Sequence, residues 1–78
     1  MRMADGDDSP LVRDYEFADF GEAMAFVNRV AEKAEAENHH PDIRLHGWNK
    51  VRLEWITHSQ GRVTEADESL AAACDALA

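Results

Sequence analysis

An α+β domain is what this sequence predicts: an antiparallel sheet of about three strands with two helices packed on one face, in the order β-α-β-β-α. Three observations lead there. Short runs of β-prone residues are interleaved with two stretches whose apolar residues recur at three- and four-residue steps. Each helical stretch opens on a capping signal. No internal repeat or low-complexity linker interrupts the order, and such a run favours an antiparallel sheet covered on one side.

The first ten residues, acidic and polar with Gly6, Ser9 and Pro10, offer no apolar face and are expected to form a flexible tail before a single domain spanning 11–78. From Leu11 to Phe17 the apolar Leu11, Tyr15 and Phe17 alternate with Asp14 and Glu16, the period of a half-buried strand. Asp19-Phe20-Gly21-Glu22 reads as a capping box and starts the long helix. Phe20, Ala23, Met24, Val27, Val30, Ala31 and Ala34 mark its apolar stripe, with Ala25, Phe26 and Ala36 beyond it. Asn38 can end the helix in the left-handed region, and Pro41 biases His40 away from helix. Ile43 to Trp48 and Lys50 to Thr57 then read as an antiparallel pair joined near Gly47 and Asn49. In the second run Val51, Leu53, Trp55 and Thr57 share one face. After Ser59-Gln60-Gly61-Arg62, Thr64-Glu65-Ala66-Asp67 opens a final helix with an apolar stripe of Leu70, Ala73, Cys74 and Leu77.

A chain of 78 residues needs support beyond its own core. With one cysteine and no zinc-finger spacing, neither disulfides nor zinc can supply it, which leaves self-association. A net charge of −8 repels phosphate backbones, so nucleic acid is not expected as a partner. No apolar run suits a membrane span and no signal-peptide core is present, so a cytoplasmic protein is expected. Cys74 reads as buried filler.

Chemistry concentrates where elements end. His39 and His40 follow the long helix and His58 leaves the last strand, and imidazole exchanges protons near neutral pH without special tuning. Any one of them alone also fits an ordinary surface histidine. Glu35, four residues before His39, is placed to favour its protonated form or fix one tautomer, or to be a plain surface pair. Asp67 is explained equally by helix capping. Trp48 and Trp55 can each offer a flat wall to a planar heterocycle, or serve core or interface. Adjacent His39 and His40 do not point readily at one ion, and no H-E-x-x-H or cysteine pair exists, so no metal site is expected.

Together, Glu35-Ala36-Glu37-Asn38-His39-His40-Pro41-Asp42, then Trp48, His58 and Asp67, resemble the signature of the pterin-4a-carbinolamine dehydratases. The intervals are three residues from Glu35 to His39, six from Pro41 to Trp48, nine from Trp48 to His58 and eight from His58 to Asp67. Asp19-Phe20, Glu22-Ala23, Phe26, Asn49-Lys50-Val51 and Thr57-His58 extend the likeness across about residues 11 to 77. The resemblance implies loss of water from 4a-hydroxytetrahydropterin to give quinonoid dihydropterin, recycling a tetrahydrobiopterin-type cofactor, with no cofactor or metal of the enzyme's own. It further implies that His39 and His58 move protons, that His40 and Trp48 hold the pterin, that Glu35 and Asp67 orient them, and that the chain forms a homotetramer, a dimer of dimers. Two departures stand out: the chain looks like a short form without the family's usual N-terminal helix, and position 48 is tryptophan where tyrosine is common. A non-catalytic interaction or assembly module on the same fold is the competing reading, and three clustered histidines argue against it.

Overall fold

The structure, a computed structural model, describes residues 9–78; most of the acidic tail expected over 1–10 lies outside that range. Five elements follow in the predicted order: β1 (Leu11–Glu16), α1 (Phe20–Glu37), β2 (Asp42–His46), β3 (Lys50–Trp55) and α2 (Glu65–Leu77). The strands form one antiparallel sheet in the order β1-β3-β2. β3 takes the centre because its inward residues Val51, Leu53 and Trp55 are wholly apolar, and all three are fully buried. The register sets Leu11 opposite Trp55 and Tyr15 opposite Val51 on one side, and Ile43 opposite Leu53 and Leu45 opposite Val51 on the other.

Both helices cover this apolar face, with α1 over β2 and β3 and α2 over β1 and β3. Ala23, Phe26, Val30, Leu70, Ala71 and Cys74 complete the core. Full burial of a Phe, Leu or Val side chain contributes about 1.5–3 kcal/mol, so the sheet and helices hold each other. The opposite face of the sheet is charged. Asp14, Glu16, Arg52, Glu54, Asp42 and Arg44 lie on it, and Arg52 grips Asp14 at 2.8 and 3.2 Å.

The caps follow the sequence closely. Asp19 Oδ1 accepts from the Glu22 amide at 2.7 Å, and Glu22 reaches back to the amide of Ala18. Asn38 closes α1 at φ 54°, and the amide of His39 bonds the Ala34 carbonyl at 3.1 Å, which sets where His39 emerges.

Two expectations need correction. The buried stripe of α1 runs through Ala23, Phe26, Val30 and Ala34, so Phe26 belongs to the core while Phe20 and Met24 are exposed. Sequence spacing allows two apolar stripes on this helix, and the sheet selects the one facing it. β2 also stops at His46, and Gly47-Trp48-Asn49 forms the turn, with Gly47 and Trp48 both at positive φ (56° and 61°). Gly47 enters that region without steric cost and carries Trp48 with it, so a residue expected in a strand sits at a turn tip.

Candidate active site

The C-terminal end of α1, the end of β3 and the start of α2 meet at one end of the sheet. There Asp67 is fully buried. As the fourth residue of the Thr64 capping box its Oδ2 accepts from the Thr64 amide at 2.9 Å, and it also accepts from the Thr57 hydroxyl at 2.7 Å and the Thr64 hydroxyl at 3.3 Å. Its other oxygen, Oδ1, lies 2.6 Å from His39 Nε2. Capping and histidine orientation, alternatives in the sequence, are thus performed by one carboxylate using different oxygens. Burial raises the Asp67 pKa, but the bonds from His39, Thr64 and Thr57 outweigh it and hold the carboxyl below its ordinary value of 3.8.

An ionised carboxylate only accepts, so His39 Nε2 carries the hydrogen and Nδ1 is the nitrogen left to exchange a proton. The imidazole is further fixed by stacking on Trp55, with ring centroids 6.1 Å apart and planes 16° from parallel. Trp55 is therefore both core and support for the site. The Glu35 carboxylate, expected on His39, reaches His40 instead, at 2.8 Å from Nε2. The reason lies in the turn. Asn38 reverses the chain at positive φ, so His39 swings inward to α2 while His40 returns along the outer side of the last helical turn. The inner pair is shielded, the His39 side chain being 20% exposed; the outer pair is open, His40 being 52% exposed.

Asn38, His39, His40, Ile56, Thr57, His58 and Ser59 line a hollow of about 250 Å³. His58 opens the turn that follows β3, which is tied by Thr57 and Arg62 pairing and by Gly61 (φ 66°) bonding back to the Thr57 carbonyl at 2.8 Å. Three imidazoles thus surround one small cavity. A larger hollow of about 340 Å³ lies on the charged sheet face among Asp14, Tyr15, Glu16, His46, Lys50 and Arg52. There Arg52 is already engaged by Asp14, and one histidine has no imidazole partner to divide acid and base roles with.

Of the residues singled out in the sequence, Glu35, His39, His40, His58 and Asp67 come together. Trp48 does not. It sits beyond Lys50 at the far end of β3 from His58, and six strand residues alone span about 20 Å. Thr57 was not singled out for the site, its only trace being the pairing with His58 in the motif; Trp55, read as a flat wall or as core, stacks on His39. Among the described residues, no group of three or more His, Cys, Asp or Glu side chains could hold a metal ion, and no helix is long and apolar enough to cross a membrane.

A family model described as "Pterin 4 alpha carbinolamine dehydratase" matches residues 2–77. A protein of Acidobacterium capsulatum provisionally named as a pterin-4-alpha-carbinolamine dehydratase is 57% identical over 67 residues, covering 86% of this chain and 72% of its own. Among solved structures, a transcriptional coactivator/pterin dehydratase from Brucella melitensis superposes with a TM-score of 0.83 at 34% identity, over 99% of this chain and 80% of that one. A pterin dehydratase-like protein described as a RuBisCO assembly factor in the alpha-carboxysome superposes at 0.73 with 26% identity, over 86% and 76%.

Proposed function

The chain belongs to the pterin 4 alpha carbinolamine dehydratase family, and from that premise we propose that it dehydrates 4a-hydroxytetrahydropterin to quinonoid dihydropterin, recycling a tetrahydrobiopterin-type cofactor in the cytoplasm. The observation that carries this reading is the buried Asp67 holding His39 through Nε2, beside a hollow shared with His40 and His58. In the reaction the 4a-hydroxyl takes up a proton, the C4a–O bond breaks with release of water, and a ring nitrogen gives up a proton. Two imidazoles of one site supply that pair of transfers. His39 and His58 act as acid and base. His40, held by Glu35 at the rim, binds the pterin. No group beyond these side chains is required.

The protein works as a homo-oligomer, a dimer of dimers. Edge-strand pairing forms the dimer, and the outward face of α1 with its exposed Ala25 and Ala36 forms the second contact. Light scattering tests this, and a mass of 8.8 kDa at micromolar concentration would reject self-association.

The likeness to a RuBisCO assembly factor supports a second reading, an assembly module on this fold. One assay separates them. Freshly generated 4a-hydroxytetrahydropterin mixed with the protein should lose its ultraviolet signature faster than in buffer, and a rate equal to the blank rejects the dehydratase.

A further inference from the structure

Trp48 is 60% exposed, more than any other exposed large apolar side chain among the described residues, and it is held in the left-handed backbone region at the tip of the β2–β3 turn. Its own chain gives it no part in the histidine site. β2 beside it is an edge strand, and Ile43, facing the helix side of that edge, is 39% exposed. The α1 flank away from α2 carries the exposed Phe20 and Met24 above the same edge, while the opposite flank is occupied, Arg29 bonding the Leu77 carbonyl of α2 at 2.9 and 3.1 Å. An apolar border thus runs along one open strand.

A second copy fits this border through a twofold axis, because antiparallel pairing of β2 with itself continues the sheet. With Ile43 on the axis, Ile43 meets Ile43 of the partner subunit, and Asp42 lies opposite Arg44 of the partner subunit, giving two symmetric opposite-charge pairs on the outer face. Centring on Arg44 instead opposes two guanidiniums. In the favoured register His46, the last residue of β2, lies level with His40 of the partner subunit, so the turn that carries Trp48 lies toward the His39–His40 bend of the partner subunit. Registers centred on Arg44 or Leu45, the neighbours that keep all helices on one face, set His46 level with Asp42 or Arg44 of the partner subunit instead. Adjacent strands lie about 4.8 Å apart, within reach of an indole.

Taking the proposed pterin site as its premise, we infer that Trp48 of each subunit completes the histidine site of its partner, supplying a flat wall for the pterin ring. The residue that the family resemblance attached to the site, and that one chain leaves at the wrong end of the sheet, returns to it across the dimer.

Trp48→Ala should raise KM tenfold or more, and wild-type kinetics in that variant would overturn the inference. Co-refolding Trp48→Ala with His39→Ala in equal amounts should restore roughly a quarter of wild-type kcat/KM, because half the dimers are mixed and each has one of two sites intact. No gain over the mean of the two variants places Trp48 in its own subunit and overturns it. Contact is read without catalysis by isotope-filtered NOE spectroscopy on mixed labelled and unlabelled wild-type protein. Cross-peaks between His40 ring protons and the Trp48 indole of the other subunit are expected. Their absence overturns the shared site whatever the activity. Their presence with a blank-level wild-type rate removes the pterin reading and keeps the shared site.

Discussion

Asp67→Asn is the substitution whose outcome the geometry specifies most fully. The Thr64 amide can only donate, so the side-chain oxygen of asparagine must stay on Thr64 and Thr57, leaving its NH2 to face His39 Nε2. Nε2 must then accept, and the hydrogen of a neutral His39 moves to Nδ1. Three short bonds, from His39 at 2.6 Å, Thr57 at 2.7 Å and the Thr64 amide at 2.9 Å, lose their ionic component. At about 1 kcal/mol each that is ~3 kcal/mol, reduced to about 2 kcal/mol because a buried charge is also removed. For a domain of this size, 2 kcal/mol corresponds to a fall of about 8–16 °C in Tm. Circular dichroism measures the melt, and long-range nitrogen–proton NMR correlations report the His39 tautomer. Activity should fall about a hundredfold or more, as the proposed proton acceptor is capped. A Tm within 3 °C of wild type, or an unchanged tautomer, refutes the reasoning.

The pH dependence of stability tests the same carboxylate: because its folded pKa is held below 3.8, its contribution is present above that value and lost as pH falls through the folded value. The acid limb of the Tm profile should therefore be shallower in Asp67→Asn, and superimposable limbs would count against the ionised buried aspartate. His39→Ala or His58→Ala should lower kcat by two or more orders of magnitude with the fold retained, and rates within threefold of wild type would refute their roles. His40→Ala should chiefly raise KM, since that side chain is an exposed rim contact; a collapsed kcat at constant KM would reverse the roles assigned to His39 and His40. Activity should survive prolonged treatment with EDTA, because the leaving hydroxyl needs only a proton, and a loss restored by zinc would contradict the proposed chemistry.

Local signals were enough for the elements and for the helix limits, though not for the strand ends, since β2 stops at His46 and β3 at Trp55. Asp19, Asn38 and the Thr64–Asp67 box begin or end helices through bonds to residues within a few positions, so they are legible in the chain itself. The alternation in β3 likewise names its buried face, because side chains in a strand alternate whatever lies beyond. The resemblance to the dehydratase signature also gathered Glu35, His39, His40, His58 and Asp67 into one motif. What it left open was which carboxylate serves which imidazole. Sequence proximity favours Glu35 for His39, but the left-handed Asn38 turns His39 toward α2, so the partner 28 residues away wins over the one four residues away. The stripe that spacing marked on α1, through Phe20 and Met24, likewise gave way to the one through Phe26 once the sheet chose the face. Periodicity is written into neighbours along the chain. The selection of a face, or of a partner for a side chain, depends on what other elements bring near, and that is decided only when the chain has folded.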